Sequence, residues 1–269
     1  MTARLSPRRR VLAAVVTVVL LMAAGVAGFA LVRRHGSAGT SVAQDKPGPV
    51  LLVPGYGGGT DALDQLAQRL TAAGRQATIV PLPGDGTGDL DGQAAALGTA
   101  VDAVLASGGA PSVDVVGYSA GGVVARIWAR DHDGAARARR IVTLGSPHHG
   151  TDLAAVAGLL GPGSCPTACQ QMAPGSDVIS RLNAGDETPD GPEWISIWTS
   201  QDEVVSPPDT AHLDGARNVV VQRICPGRAV DHGQLPTDAV VDALVLRALA
   251  VAPFVTPTRA DCSSLERQG

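Results

Sequence analysis

A serine lies between two glycines in the segment Gly117-Tyr118-Ser119-Ala120-Gly121, which has the pattern G-x-S-x-G. The valine-rich segment before it, 113–116, predicts a strand, and the apolar spacing of residues 120–130 predicts a helix. A serine on a sharp turn from strand to helix is exposed for nucleophilic attack, and glycines beside it let other parts of the chain pass close. With 33 glycines in the chain, the pattern also arises by chance. The strand before it and the helix after it favour Ser119 as a nucleophile.

A serine hydroxyl needs a base to take its proton, and the chain has six histidines. His232 follows the last predicted strand, which is where the base lies when the chain order is Ser, acid, His. His212 precedes that strand and is the alternative, with a local role in its loop as the plainer interpretation. The sequence therefore predicts His232 as the base.

The acid that orients the base is expected after the strand before the last one. Asp202 is the first acidic residue after the predicted strand 194–198, so we expect it to hold the imidazole in the correct tautomer. Glu203 and Asp209 are nearby alternatives, and each also reads as an ordinary solvated loop charge.

Two backbone N–H groups are needed to bind the oxyanion that forms during attack on a carbonyl. The residue after the nucleophile, Ala120, supplies one of them. The glycine-rich loop 54–59 follows the first predicted strand, and within it Tyr56 is the candidate for the second. A flexible turn is the plain interpretation of these glycines. A phosphate-binding loop is disfavoured, because no lysine follows and the spacing is not that of a dinucleotide site.

These candidates lie between strand-like and helix-like segments that alternate along the chain. The predicted strands are 50–53, 77–80, 113–116, 141–144, 194–198 and 218–222. The predicted helices are 61–73, 93–106, 120–130 and 237–249, with short ones at 153–159 and 177–182. Such alternation predicts an α/β fold with a mostly parallel central sheet and helices on both faces.

The N-terminal part predicts export. Residues 11–32 are apolar and uncharged, and Arg8, Arg9 and Arg10 precede them. A helix of that length is long enough to span a bilayer, so both a cleaved signal peptide and a retained membrane anchor remain open. We expect residues 1–35 to be the export segment, 36–49 a linker, 50–252 the catalytic domain and 253–269 a tail without clear structure.

Four cysteines lie in the exported part, where disulfides persist. Of the three possible connectivities, we favour Cys165 with Cys169 and Cys225 with Cys262, which would pin the tail. A zinc site formed by Cys165, Cys169 and the 148–149 histidine pair is the alternative. No cofactor or metal is expected.

Charge restricts the partners. The first 44 residues hold six arginines and no acid, which leaves 15 basic against 25 acidic residues in the remainder, a net charge of −10. This balance argues against nucleic acid as a partner. We expect a monomer.

Five segments carry a resemblance to a known family over residues 50–249. They are P-G-Y-G-G at 54–58, V-D-V-V-G-Y-S-A-G-G at 113–122, T-L-G-S-P-H-H-G-T at 143–151, S-Q-D-E-V-V at 200–205 and L-D-G-A-R-N at 213–218. The chain resembles the small bacterial lipases of the α/β-hydrolase superfamily, typified by the lidless Bacillus lipase A family and related secreted actinobacterial lipases. Departures are Tyr56 where a smaller apolar residue is frequent, Tyr118 where histidine is common, and an insertion with Cys165 and Cys169 that enlarges the rim.

The resemblance implies a minimal α/β-hydrolase fold without a large lid domain. It also implies hydrolysis of small-molecule or lipid acyl esters through an acyl-enzyme, outside the cytoplasm or anchored on the outer face of the cytoplasmic membrane through residues 11–32. An acyltransferase or thioesterase would use the same three residues. A non-catalytic lipid-binding protein of the same fold is a further alternative, which predicts loss of one of them.

Overall fold

The structure is a computed structural model that describes residues 42–159 and 163–269. The predicted export segment lies outside the described residues. Across those two ranges, no helix combines the length and the hydropathy needed to cross a bilayer.

A six-stranded sheet forms the centre of the described chain. Its strands are β1 (Val50–Val53), β2 (Ala77–Ile79), β3 (Val113–Tyr118), β4 (Ala138–Leu144), β5 (Glu193–Trp198) and β6 (Arg217–Val220). They lie in the order β2-β1-β3-β4-β5-β6, and every neighbouring pair is parallel. The α/β prediction is confirmed, and all the pairings found are parallel where a mostly parallel sheet was predicted.

Both faces of the sheet are covered. Alternate residues of β1 belong to two separate apolar clusters, with Val50 and Leu52 in one and Leu51 and Val53 in the other. Successive side chains of a strand point to opposite faces, so the continuous apolar run in β1 is what a strand buried on both sides requires.

Helices form the two covering layers and the rim above the sheet. In chain order they are α1 (Asp61–Ala72), α2 (Leu90–Gly108), α3 (Ala120–Asp131), α4 (Asp152–Leu159), α5 (Thr167–Gln171), α6 (Asp177–Leu182), α7 (Val221–Ile224), α8 (Ala239–Ala248) and α9 (Cys262–Gln268). Buried residues of α1 and α8 share one apolar cluster, and those of α2 and α3 share the other. The short α4, α5 and α6 follow β4 and form the rim.

The tail after residue 253 differs from the prediction. It was expected to lack structure, but it contains α9, whose Leu265 is fully buried, and Phe254, which is 4% exposed. Residues 221–222, predicted as strand, lie in the single turn of α7. Local periodicity misses α7 and α9 because each helix is too short to show a helical stripe of apolar residues.

Both predicted disulfides are present, Cys165 with Cys169 and Cys225 with Cys262. The second closes a segment of 37 residues and ties the tail to α7. In the chain-entropy model a loop of that length contributes about 3 to 4 kcal/mol to the free energy of unfolding. The zinc alternative is wrong for this state of the chain, because both of its cysteines are oxidised.

Candidate active site

Ser119 lies on the turn between β3 and α3, with φ 53° and ψ −123°. Residues other than glycine rarely adopt this backbone conformation, so contacts with the surrounding residues must hold Ser119 in it. The N–H of Ser119 donates to the carbonyl oxygen of Leu144 at 2.8 Å, which fixes the turn to the end of β4. A Cβ at Gly121 would lie 2.2 Å from the carbonyl oxygen of Val53, and one at Gly117 would lie 2.5 Å from that of Gly121. Glycine at both positions is therefore what allows this turn.

The structure brings His232 to Ser119. Its Nε2 lies 3.0 Å from the Oγ of Ser119, although 113 residues separate them. His212 does not reach the serine: its side chain is half exposed, and its Nδ1 lies 3.5 Å from the Oδ1 of Asp214. Of the two candidate bases, only His232 has the contact that proton transfer from Ser119 requires.

Asp202 lies on the other side of the imidazole. Its Oδ2 is 2.7 Å from the Nδ1 of His232, and its Oδ1 accepts hydrogen bonds from the backbone N–H groups of Val204 at 3.0 Å and Val205 at 2.7 Å. The side chain of Asp202 is 1% exposed and that of His232 is 9% exposed. Glu203 is exposed and makes none of these contacts in the described chain. One oxygen of Asp202 is held by the backbone, and the other is left to orient His232.

The loops that carry Asp202 and His232 are tied to each other. The hydroxyl of Thr199 donates to the carbonyl oxygen of Val230 at 2.7 Å, and the N–H of Val230 donates to the side chain of Gln201 at 2.9 Å. These bonds lie within three residues of the acid and two of the base. They fix the distance between the two loops, so the Asp202–His232 contact does not depend on the two side chains alone.

Gly145, just after β4, leaves room for the side chains of Asp202 and His232. It has φ +53°, and a Cβ there would lie 2.5 Å from the Cδ1 of Leu235, 3.1 Å from the Oδ2 of Asp202 and 3.3 Å from the Nδ1 of His232. The sequence analysis did not single out this glycine. Its position directly after a predicted strand, within the T-L-G-S-P segment, was the available signal.

Tyr118 is a second residue whose contact the sequence analysis missed. Its hydroxyl donates to the carbonyl oxygen of His232 at 3.2 Å, and the two rings lie 5.2 Å apart at an angle of 33°. Burial, followed by the negative charges of Asp202 and Asp231, raises the pKa of Tyr118 to about 12. The phenol therefore stays protonated near neutral pH and remains a donor to the backbone that carries the base.

The loop with Tyr56 passes beside Ser119. A Cβ at Gly55 would lie 3.1 Å from the Cβ of Ser119, and Tyr56 and Ser119 line the same cleft. Within the described chain, the N–H groups of Tyr56 and Ala120 have no hydrogen-bond acceptor, whereas those of Gly57 and Gly58 do. Ala120 is also the first residue of α3, where the positive end of the helix dipole lies.

An apolar cleft of about 210 Å³ opens at Ser119. Its lining residues are Tyr56, Ser119, Pro147, Thr151, Leu153, Ala154, Ala157, Ser164, Cys169, Met172, Val204 and Val205. Ala154, Met172 and Val205 are buried, whereas Tyr56, Leu153 and Val204 are about half exposed. The cleft thus has a buried floor and an apolar mouth beside the serine hydroxyl.

His148 and His149 have other partners. His148 is fully buried with its Nε2 3.0 Å from the hydroxyl of Thr143, and burial together with the nearby Arg126 charge holds its pKa well below the usual value. The Nε2 of His149 lies 3.0 Å from a carboxylate oxygen of Glu187. His148 therefore joins the rim to β4, His149 joins it to the loop before β5, and the pair makes no contact with Ser119 in the described structure.

A family model for the alpha/beta hydrolase fold matches residues 48–163. Together with the parallel sheet and the turn at Ser119, this match decides the fold. The chain has the α/β-hydrolase fold. A comparison with curated protein sequences gives no match.

Several solved lipase structures share this α/β-hydrolase fold. Aspergillus fumigatus lipase B superposes with a TM-score of 0.69 at 19% identity over 83% of this chain and 57% of its own. The Bacillus licheniformis lipase BlEst2 in its propeptide form gives a TM-score of 0.65 at 19% identity, over 79% and 52%. Its mature form gives 0.56 at 18%, over 77% and 93%.

This α/β-hydrolase chain spans little more than half the length of the first two of these structures. At such identities the likeness concerns the fold alone, and fold does not fix activity.

Proposed function

We propose that this α/β hydrolase is a serine carboxylic ester hydrolase, a lipase or esterase that works through an acyl-enzyme. The observation that carries the proposal is the continuous contact from Ser119 Oγ to His232 Nε2 at 3.0 Å and from His232 Nδ1 to Asp202 Oδ2 at 2.7 Å. A nucleophile, a base and an acid that orients the base are the groups that acyl transfer needs. The lipase and esterase character of the structural neighbours agrees with this proposal.

In the first step, the Oγ of Ser119 forms a bond with the ester carbonyl carbon while its proton passes to the Nε2 of His232. The Nδ1–H of His232 donates to Asp202, which fixes the tautomer and stabilises the imidazolium that forms. Collapse of the tetrahedral intermediate breaks the bond to the alcohol oxygen, which takes the proton from His232. Water then attacks the acyl-serine by the same route, and the carboxylic acid and the free serine are released.

The N–H groups of Tyr56 and Ala120 are proposed as the oxyanion donors. Support comes from their free hydrogen-bonding capacity within the described residues and from the passage of the Tyr56 loop beside Ser119. Donors already held in place cost no reorganisation when charge develops on the carbonyl oxygen, which is why such sites lower the barrier strongly.

We propose further that the enzyme works outside the cytoplasm. Two disulfides with no free cysteine in the described chain suit an oxidising compartment.

Labelling with a fluorophosphonate and hydrolysis of p-nitrophenyl acetate test the proposal together. We expect the wild-type chain to be labelled at one serine and to release p-nitrophenol, and Ser119→Ala to lose both while it keeps its circular dichroism spectrum. A folded Ser119→Ala variant that hydrolyses the ester at the wild-type rate would refute the assignment. Labelling at Ser119 with acyl transfer to an added alcohol in preference to water would favour an acyltransferase.

A further inference from the structure

One wall of the apolar cleft beside Ser119 contains a disulfide bond. This wall is the disulfide turn, residues 165–172, which holds the Cys165–Cys169 bond and helix α5. Cys169 and Met172 of this turn line the cleft, and Met172 is 7% exposed. Neither His232 nor Asp202 lines the cleft.

We propose that this cleft binds the acyl chain of the ester and that the disulfide turn limits the length of chain it accepts. The inference rests on the proposed function, because an acyl chain is placed in the cleft only if its carbonyl carbon is attacked by Ser119. The ligand class is an apolar acyl group whose length is limited by the cleft.

The hydrogen-bonding state of the lining favours an apolar occupant. Thr151 is a buried residue of the lining, and its hydroxyl donates to the carbonyl oxygen of Val204 at 2.7 Å and accepts from the N–H of Ser206 at 3.1 Å. Within the described residues, no buried side-chain nitrogen or oxygen that lacks a partner belongs to the lining. A polar group placed against the buried part of the lining would lose its bonds to water without replacement, whereas an alkyl chain loses none.

The disulfide turn is anchored to the body at three separate places. The N–H of Ala168 donates to Thr87 at 3.0 Å, the N–H of Leu90 donates to the side chain of Gln171 at 2.8 Å, and the N–H of Thr151 donates to Met172 at 3.0 Å. The disulfide closes the same turn from within. A wall held this way cannot move aside at low cost, so it should act as a stop for a growing chain.

The cleft volume sets the expected limit. The cleft has a volume of about 210 Å³, so an acyl chain with its carbonyl carbon at Ser119 fills it at a finite length. Up to that length each added methylene should raise kcat/KM about fourfold, from the transfer free energy of one methylene group.

The first experiment measures kcat/KM of the full chain for p-nitrophenyl esters from acetate to dodecanoate, below the concentration at which they aggregate. We expect kcat/KM to rise with chain length up to a break and to gain nothing beyond it. Ala157→Leu adds three carbons to the lining of the cleft, so it should move the break about three carbons shorter and lower the ratio of kcat/KM for an ester at the wild-type break to kcat/KM for acetate about 60-fold. Val156→Leu is the matched control, because Val156 is the preceding residue of α4 and does not line the cleft.

The second experiment tests the wall itself. Met172→Ala removes three heavy atoms from the disulfide turn and should move the break to longer chains. Because Met172 is buried and its loss lowers stability, a chain with Cys165→Ala and Cys169→Ala serves as a second variant. It should lose the sharp break, so that the ratio of kcat/KM for long esters to kcat/KM for acetate keeps rising with chain length.

The outcomes separate this inference from the proposed function. An unchanged break in an Ala157→Leu chain that is still labelled at Ser119 would overturn the acyl-chain assignment. A break that stays in place in both turn variants would overturn the role of the turn. An inactive wild-type chain that is not labelled at Ser119 would instead refute the proposed function.

Discussion

The Oδ2 of Asp202 lies 2.7 Å from the Nδ1 of His232, while its Oδ1 accepts two backbone N–H groups. The two oxygens of one carboxylate therefore have separate partners. One fixes the carboxylate to its own loop, and the other fixes the imidazole, so the orientation of His232 relative to Ser119 is set by the loop that follows β5.

Asp202→Asn should lower kcat for p-nitrophenyl ester hydrolysis by about 10⁴-fold. The amide keeps an oxygen for the N–H groups of Val204 and Val205, but its NH₂ group cannot accept from the Nδ1–H of His232, so the tautomer needed for catalysis is lost. Glu203→Gln is the matched control, since this neighbouring acid is exposed, and it should keep wild-type kcat. Loss of activity only in the Glu203 variant would mean that the acid is wrongly assigned.

His232→Ala should nearly abolish ester hydrolysis and leave the circular dichroism spectrum intact. The reason is the 3.0 Å contact with Ser119, which no other histidine of the described chain makes. His212→Ala should keep full activity, because its side chain lies half exposed beside Asp214. The reverse pattern would assign the base to His212 and leave the reaction class unchanged.

Tyr118→Phe should lower kcat by about twofold to tenfold with little change in KM, the loss expected for one neutral hydrogen bond. The phenol donates to the backbone of His232 and positions the base without touching the substrate. Tyr118→Leu, which also removes the ring beside the imidazole, should lose more. If both variants lowered only the unfolding free energy and kept kcat, the tyrosine would be structural and not a positioning residue.

Asp242, on α8, should make stability fall as pH rises from about 4 to 6. Burial raises its pKa to about 6, with the Arg69 charge opposing the shift and Asp238 adding to it, and its Oδ1 has no hydrogen-bond partner in the described structure. The folded state therefore holds the proton more tightly than the unfolded chain, whose Asp pKa is 3.8. The stabilisation from this proton is present below pH 4 and lost above pH 6. Its loss lowers the free energy of unfolding by on the order of 3 kcal/mol.

Urea unfolding of Asp242→Asn across pH 4 to 8 measures this effect. The variant should be more stable than the wild type at pH 8 and close to it at pH 4, because the buried charge is gone. Asp64→Asn, which changes an exposed acid on α1, should show no such dependence. An equal difference from the wild type at every pH would show that Asp242 does not titrate in this range.

The sequence by itself determined the alternation of strands and helices, the turn at Ser119 and the two disulfide pairs. The alternation and the turn are encoded by neighbouring residues, because apolar periodicity and glycines around a sharp turn act over a few positions. The disulfide pairs were predicted from an even number of exported cysteines, which leaves three connectivities. The sequence also predicted that Ser119, Asp202 and His232 lie close together, because parallel strands end at one edge of a sheet and bring their loops together.

Only the tertiary structure decided what fills the space between those elements. Asp114 is a charged residue within a buried strand. Its carboxylate forms ion pairs with Arg139 at 2.6 Å and Arg75 at 2.5 Å, which come from other segments of the chain. The Tyr118 hydroxyl meets a carbonyl 114 residues away, and Gly145 leaves room for the Asp202–His232 pair. Such contacts depend on how layers pack, and no local pattern specifies them, because a buried polar group is satisfied by whichever partner the fold brings within reach.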